Sequence, residues 1–277
     1  MLLALAHATA ALPFSDLSVF GDALGGIVGG ALGVRRAHVE ASMARAGVRA
    51  PREAAAAMYR SLGTSAFELL WLAGSRVDVR DLVRFDATAR DALRDVGARG
   101  AVIAASHTGN WDLAACAVAG RSRLLVVTKH LSMRFVDSFW QSTRAARGVA
   151  LTSAAGALER SRGHLAVGGA VAMMIDQVPL RRAHALRAPF LGAEAWVDRA
   201  PATLAARARA PMIVSASRRD EHGVQEITAL DVIAPPPRAT RAWIDAATLR
   251  ATAALERFVL AHPSEWLWMH RRWKTPA

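Results

Sequence analysis

A short apolar run, a turn that contains glycine and a second apolar segment constrain the fold of this chain more than any other feature. Residues 101–105 read Ala-Val-Ile-Ala-Ala, which is typical of a buried strand, and residues 113–119 are small and apolar, as in a packed helix. Gly109 permits a tight turn between them, and Asn110 is a favourable helix N-cap. The sequence therefore predicts a strand, a turn and a helix, with the turn at the carboxyl end of the strand.

This turn contains a base and a carboxylate, His107 and Asp112, five positions apart. Residues at this separation in a continuous helix point in different directions, but the turn at Gly109 allows the chain to fold back. We expect Asp112 to accept a hydrogen bond from one imidazole nitrogen, which leaves the other as a base near neutral pH. Such a pair would remove a proton from a hydroxyl of the substrate. The structural alternative is that His107 closes a strand while Asp112 caps a helix.

Apolar runs and helical spacing alternate along the rest of the chain. Together with residues 101–105 they predict an α/β fold, in which a mainly parallel central sheet is flanked by helices. We expect residues 35–277 to form a single domain. The further strands are predicted at 124–127, 170–175, 212–215 and 225–232, and helices at 51–73, 86–96 and 241–261.

Residues 1–34 are apolar but interrupted, so we expect a membrane-associating segment without an uncharged stretch of about 20 residues. Residues 17–34 predict a helix with glycines at four-residue spacing, which permits close contact between helices. These glycines favour packing on the catalytic domain, with dimerisation as the alternative. The interruptions are Pro13, Asp16 and Asp22, and the glycines are Gly25, Gly29 and Gly33.

Composition favours a partner with negative charge. The chain has 35 basic and 23 acidic residues, a formal charge of +12 and a pI near 11.4, which suits anionic lipids, phosphorylated saccharides or an acidic protein. Nucleic acid is not expected, because the arginines are dispersed and zinc-ligand spacing is absent from the sequence. The single cysteine, Cys116, excludes an internal disulfide and predicts a reducing compartment.

Three blocks of the sequence carry a family resemblance. His107-Thr-Gly-Asn-Trp-Asp112 resembles the His-x4-Asp/Glu signature of the glycerolipid and lysophospholipid acyltransferases, in the variant found in the lipid A biosynthesis acyltransferases, which include lauroyl and myristoyl transferases. Met174-Ile-Asp-Gln177 with Ala188-Pro-Phe-Leu-Gly192, and Trp266-Leu-Trp-Met-His-Arg-Arg-Trp-Lys274, are similar to two further blocks of that family. The resemblance extends from about Arg35 onward and implies a glycerol-3-phosphate acyltransferase-like fold.

The resemblance implies a mechanism. His107 would deprotonate an acceptor hydroxyl that attacks the thioester of an acyl carrier protein, and Asp112 would orient and polarise the histidine. A downstream arginine is also implied, for which Arg144 fits best; Arg147 is the competing position, and a solvated helix charge is the alternative. Transfer would be direct, and neither a metal nor a tightly bound cofactor is implied. Acyl carrier protein is the expected donor, with acyl-CoA left open as a co-substrate.

The remaining candidate residues lie at the ends of predicted elements. Asp176 and Gln177 follow an apolar strand, so we expect them near His107, where they position the acceptor or the loop that covers it; the alternative is that the carboxylate caps the next turn. The terminal tryptophans, Trp266, Trp268 and Trp273, either lie at a membrane interface or pack on the core. The expected substrate-binding set is Asn110, Arg144, Asp176, Gln177, Arg271 and Arg272.

The expected acceptor is a membrane lipid. The basic, aromatic end of the chain favours a lipid A precursor, whereas aspartate at Asp112 is frequent in the related enzymes of phosphatidylinositol mannoside synthesis. A lysophospholipid or a phosphatidylinositol mannoside is therefore the alternative acceptor, and a non-catalytic basic lipid-binding protein is the alternative from another class. We expect peripheral or monotopic attachment at the cytoplasmic face of the cell inner membrane.

Overall fold

A computed structural model describes residues 1–154 and 156–276, and within them a central seven-stranded sheet and a separate two-stranded hairpin. The strands are β1 (Val83–Phe85), β2 (Ala101–Ala105), β3 (Leu124–Thr128), β4 (Val149–Ser153), β5 (Ala170–Met174), β6 (Ala185–Phe190), β7 (Ala193–Asp198), β8 (Met212–Arg219) and β9 (Gln225–Ile233). The helices are α1 (Leu2–Ala10), α2 (Leu17–Gly25), α3 (Arg36–Arg45), α4 (Pro51–Gly74), α5 (Ala87–Arg99), α6 (Trp111–Ala119), α7 (Arg134–Ala146), α8 (Ala157–Ala166), α9 (Ala200–Ala208) and α10 (Arg241–Ala261).

The central sheet has the order β1-β9-β8-β2-β5-β3-β4. The five strands from β8 to β4 run parallel, β9 is antiparallel to β8, and β1 runs parallel to β9. The predicted α/β fold with a mainly parallel sheet is therefore confirmed. In the parallel group β2 lies between β8 and β5, so the turn after β2 is at the middle of the sheet edge.

Both faces of β2, β3, β5 and the first half of β8 are largely buried, which explains why these segments are continuous apolar runs. Along β2, Val102 and Ala104 pack in a cluster with α4, α9 and α10, while Ala101 and Ile103 pack in a second cluster with α5 and α6. These predicted runs all form strands. The sequence analysis missed β1, β4 and the β6–β7 hairpin, which are short or alternate between buried and exposed residues.

The apolar segment 17–34 packs along α4. It forms α2 and then a π-helical turn, Gly26–Ala31. A Cβ at Gly21 would lie 2.3 Å from the backbone of Thr64, and a Cβ at Gly29 would lie 2.2 Å from the Tyr59 ring. The prediction that glycines in this segment permit close packing within the chain is thus confirmed.

The glycine stripe differs from the predicted one by one member. Gly21, Gly25 and Gly29 contact α4, whereas Gly33 has a positive φ of 58° beyond the helical segment. A left-handed backbone at Gly33 takes it off the helix face, because it is a conformation that helical residues do not adopt.

By length and hydropathy, no individual helix in the described ranges suffices to cross a bilayer. Leu2–Ala10 and Phe14–Ala31 satisfy the length and hydropathy requirements only as a pair, and they are bent by 117° at a break that contains Pro13.

We predict that Gly21→Ala destabilises the protein by about 1–3 kcal/mol, because the new Cβ overlaps the α4 backbone. The matched control is Gly26→Ala, whose Cβ would meet nothing within 4 Å and which should be neutral or stabilising by up to about 1 kcal/mol. Denaturant unfolding of both purified variants measures the difference. Equal stability of the two variants would contradict the packing role of the glycine.

Candidate active site

Three parallel strands, β2, β5 and β3, end side by side and present polar residues at one edge of the sheet, which we call the catalytic edge. His107 follows β2, Asp176 and Gln177 follow β5, and Lys129 follows β3. Because β2 and β5 pair directly in parallel register, the residues after them meet although they are far apart in the chain. The predicted proximity of Asp176 and Gln177 to His107 is therefore observed.

The carboxylate partner of His107 is Asp176. The His107 ring Nδ1 lies 2.9 Å from Asp176 Oδ1, and the His107 backbone N–H donates to Oδ2 at 2.7 Å. The indole N–H of Trp266 also donates to Oδ2, at 2.9 Å. An imidazole that donates from Nδ1 has its lone pair on Nε2.

Asp176 is fully buried. Burial raises the pKa of this carboxyl, but the charge of His107 and the hydrogen bonds from its ring and backbone outweigh burial and hold the pKa of Asp176 well below its usual range. The ionised carboxylate fixes the Nδ1–H tautomer of His107 and can stabilise an imidazolium. The buried side chain of Asp176 thus contacts His107 and Trp266, so its place in the site is behind the histidine.

The second ring nitrogen of His107 faces an amide. His107 Nε2 lies 3.2 Å from Gln177 Nε2, and Lys129 Nζ donates to Gln177 Oε1 at 3.3 Å. The imidazole is flanked by the rings of Trp111 and His270, each with a centroid distance of 5.0 Å. The amide N–H therefore occupies the position from which a substrate hydroxyl would donate to the base.

The predicted hydrogen bond between Asp112 and His107 is wrong. Asp112 Oδ1 instead accepts from Arg144 Nε at 2.6 Å and from Trp140 Nε1 at 2.9 Å. Asn110 caps α6 with its side-chain oxygen, so Asp112 lies in the first helical turn and points toward α7. Asp112 thus pairs with Arg144, and His107 pairs with Asp176.

Arg144 lies at the site in an internal ion pair. Its side chain is 11% exposed and lies beside the buried Asp112. Its guanidinium also lies 3.5 Å from Thr128 Oγ1 at the end of β3. Arg147, the competing candidate, donates instead to backbone carbonyls at and after the end of α4, those of Leu72, Ser75 and Val77.

Asn110 holds the motif turn in place. Its amide donates to Glu68 Oε2 at 2.8 Å, and Glu68 forms a buried ion pair with Arg219. Gly109 has a φ of +53°, and a Cβ there would lie 2.7 Å from Gln225 Oε1. Asn110 is 3% exposed, so its contacts support the turn, and the substrate-binding role expected for it has no surface to act through.

His270 contributes an uncharged ring to the site. Burial lowers the pKa of His270 to about 4, because the protonated ring would lose solvation and lie beside His107. At neutral pH the ring is therefore neutral and does not oppose positive charge on His107. The His270 carbonyl accepts from the His38 ring at 3.0 Å, which links this residue to α3.

The two arginines of the terminal motif have different surroundings. Arg271 is exposed, as a phosphate-binding residue must be. Arg272 is 1% exposed, donates to the Trp196 carbonyl at 2.6 Å and lies over the Phe190 ring. It therefore holds the β6–β7 hairpin, and this differs from the contact with substrate that we expected.

The terminal tryptophans belong to the core rather than to a membrane interface. Trp266 and Trp268 are 1% and 0% exposed and form an edge-to-face pair. Trp273 lies beneath the Arg45 guanidinium, 3.8 Å from the ring centroid, and donates to the Phe190 carbonyl. The packing alternative is correct for Trp266 and Trp268, and Trp273 is half-buried against the same core.

Sequence reasoning missed three contributors to the site. The partner role of Asp176 was hidden because it lies 69 positions from His107, and only the Asp-Gln pair after a strand signalled it. His270 was visible only as part of the terminal motif. Lys129 had one signal, a cation two positions after the end of the strand predicted at 124–127.

The fold places a histidine with a buried carboxylate partner at the carboxyl edge of a mainly parallel sheet, and such a pair can act as a general base toward a substrate hydroxyl. Residues 1–275 match the model of the bacterial lipid A biosynthesis acyltransferase family, so the chain belongs to this family and is an acyltransferase. The match includes the N-terminal segment as well as the region from Arg35 onward. A search of curated proteins found no match to the chain.

We predict that Asp176→Asn lowers kcat by about 10³-fold or more, because the amide cannot hold the Nδ1–H tautomer or balance an imidazolium. Nitrogen-15 NMR of labelled histidine should show the His107 proton moving from Nδ1 toward Nε2. Asp112→Asn is the matched variant, and it should leave the His107 tautomer unchanged. A tautomer change in Asp112→Asn but not in Asp176→Asn would contradict the assignment.

His270 should make the stability of the protein depend on pH. Its pKa is about 4 in the folded chain and near 6.5 when unfolded, so the unfolded chain binds the extra proton and stability falls as pH drops between these values. Relative to His270→Gln, the wild type should lose up to about 3 kcal/mol across that window. Denaturant titrations of both proteins from pH 7 to pH 4 measure this, and a constant difference would contradict it.

Proposed function

We propose that this acyltransferase moves a fatty acyl chain from the thioester of an acyl carrier protein to a hydroxyl of a lipid A precursor. The observation that carries the proposal is the arrangement around His107, whose Nδ1 is held by a buried carboxylate and whose Nε2 faces the Gln177 amide. Family membership supplies the acyl chemistry, and the excess of basic residues suits a phosphorylated acceptor and an acidic carrier.

In the proposed reaction the acceptor hydroxyl takes the place of the Gln177 amide and donates to His107 Nε2. As the hydroxyl oxygen attacks the thioester carbonyl, its proton moves to Nε2, and the ionised Asp176 stabilises the imidazolium. The tetrahedral intermediate then expels the carrier thiolate, which takes the proton from Nε2. An ester is formed, a thioester is broken, and the histidine returns to its starting state.

The donors beside Nε2 suit the negative charge that develops on the thioester oxygen. Once displaced from the ring, the Gln177 amide can donate to that oxygen, and the Lys129 ammonium lies 3.3 Å from Gln177 Oε1. His270 remains neutral, so it does not oppose the proton on His107. We assign Gln177 and Lys129 to the substrate side of the reaction.

We assign Asp112 and Arg144 the role of holding the turn that carries His107 in place. Their ion pair joins the first turn of α6, which follows His107, to α7. Because the Arg144 charge is compensated by Asp112, we assign acceptor phosphate to the exposed Lys129 and Arg271 instead. Asp112 is a positioning residue in this scheme.

We further propose that the protein works at the cytoplasmic face of the inner membrane, to which residues 1–34 attach it. The family is associated with that membrane, and the bent pair of N-terminal helices exposes large apolar side chains. We regard residues 35–277 as the single catalytic domain on which this segment packs. The exposed side chains of α2 include Val19 and Phe20, whereas α1 packs against the last turn of α4, where Gly74 meets Ala6.

The experiment that tests the proposed function is acyl transfer by the purified protein. Labelled acyl carrier protein and labelled acyl-CoA are each offered with a tetraacyl lipid A precursor or with a lysophospholipid mixture. We expect label on the lipid A precursor from the carrier protein, and a loss of at least about 10²-fold in His107→Ala. His222→Ala, which changes an exposed histidine in the β8–β9 turn, is the matched control and should retain activity.

Other outcomes of this assay change the proposal in defined ways. His107-dependent label on a lysophospholipid would replace the acceptor and keep the chemistry, and transfer from acyl-CoA alone would replace the donor. Lipid binding without His107-dependent transfer from either donor would overturn the enzymatic proposal in favour of a lipid-binding protein.

A further inference from the structure

Large apolar side chains are exposed in the loop that follows β3, residues 129–135, which we call the apolar loop. Leu131, Met133 and Phe135 are 43%, 58% and 61% exposed. Because β3 runs parallel to β5 and β5 to β2, this loop leaves the sheet at the same edge as His107 and Asp176. Single exposed apolar residues are ordinary, but three in five positions beside a site indicate an interaction surface.

The apolar loop is held in a defined shape by the first turn of α7. Asp137 accepts from the Leu131 backbone N–H at 2.9 Å and lies 2.7 Å from the His130 ring. Gln141 donates to the same carboxylate at 3.2 Å. These hydrogen bonds hold the loop in one shape. In that shape its apolar side chains remain exposed to water and do not pack inside the protein.

A second exposed apolar group lies beyond the same edge. The C-terminal part of α4 runs from the catalytic edge toward the opposite edge, since Glu68 contacts Asn110 and Leu72, one turn later, contacts the Arg147 side chain. The N-terminal half of α4 consequently projects past the catalytic edge.

The segment 26–34 lies on that projecting half. The α2 helix runs antiparallel to α4, because Gly21 meets Thr64 whereas Gly29 meets Tyr59. Its continuation ends beside the site, where Arg35 donates to the Met269 carbonyl at 2.7 Å. The exposed apolar side chains of this segment are Ile27 at 53%, Leu32 at 68% and Val34 at 39%.

Exposed cations accompany both apolar groups. Lys129 and Arg134 lie within the apolar loop, Arg35 directly follows the segment 26–34, and Arg181 and Arg182 lie in the loop after β5. Leu180, 54% exposed, precedes these last two arginines. Apolar tips surrounded by cations on one side of a molecule are complementary to an anionic lipid surface, which offers hydrocarbon beneath a layer of phosphates.

We propose that the catalytic edge itself lies on an anionic membrane, with the apolar loop and the segment 26–34 inserted among the headgroups on either side of His107. The base would then stand at the level where a lipid hydroxyl is found, so the acceptor would reach it without leaving the bilayer. This orientation gives the proposed function its access to a lipid acceptor, and it can be tested without turnover.

Depth labelling tests the orientation, since the chain offers one native thiol that does not interfere. Cys116 is 2% exposed, and burial raises the pKa of its thiol to about 12, so it resists labelling in the folded protein. A nitrobenzoxadiazole probe is placed at Met133→Cys. Val167→Cys is the matched control, because Val167 is 60% exposed but precedes β5 at the opposite edge. Leu3→Cys, on a residue of α1 that is 63% exposed, reports the N-terminal helix.

Vesicles of phosphatidylglycerol and phosphatidylethanolamine that carry an acyl-chain nitroxide provide the membrane. We expect the probe at Met133→Cys to shift to the blue and to be quenched, the probe at Val167→Cys to stay in water, and binding to weaken with salt. Quenching at Leu3→Cys with none at Met133→Cys would overturn the proposal and leave the N-terminal helix as the anchor. Equal quenching at Val167→Cys, or a blue shift caused by soluble acyl carrier protein alone, would also overturn it.

Substitution provides a second measurement. The double variant Met133→Ser, Phe135→Ser should bind these vesicles at least about 10-fold more weakly than the wild type, while Val167→Ser should bind like the wild type. The double variant should also lose transfer to acceptor embedded in vesicles and keep transfer to acceptor dispersed in detergent. Unchanged vesicle binding would overturn the orientation. Absence of transfer by the wild type in both formats would count against the proposed function alone.

Discussion

The buried carboxylate of Asp176 is the interaction on which the rest of the site depends. A fully buried charge is costly unless several donors surround it, and here the donors come from distant parts of the chain. The turn after β2 supplies the backbone and ring of His107, and the C-terminal segment supplies the indole of Trp266. The hydrogen bonds that stabilise the Asp176 carboxylate therefore also hold the C-terminal segment over the catalytic edge.

Backbone contacts between these parts have the same effect. The Leu267 N–H donates to the His107 carbonyl at 3.1 Å, and the Gly109 N–H donates to the Glu265 carbonyl at 2.8 Å. The terminal aromatic and basic residues thus act mainly as architecture, since Trp266, Trp268 and Arg272 are buried. The terminal block therefore supports the geometry around Asp176, and its exposed cations are Arg271 and Lys274.

Much of the fold could be predicted because it rests on local patterns. Continuous apolar runs identified the buried parallel strands, and helical spacing identified α4 and α10. The pairing within the site could not be predicted, because Asp112 and Asp176 are chemically equivalent partners for an imidazole and the choice depends on the neighbouring strand and on the first turn of α6. Likewise, regular spacing suggested Gly33 as a contact residue, but only the backbone conformation shows that Gly21 takes that part.

The amide of Gln177 over His107 Nε2 has a consequence for the fate of the activated donor. A thioester waiting beside an uncovered base would be open to attack by water, and the acyl chain would be lost as a free acid. Because the amide is tethered next to the ring, it competes with water at a high effective concentration. In the proposed reaction a bound acceptor displaces the amide, and this cover on the base would favour acyl transfer over hydrolysis.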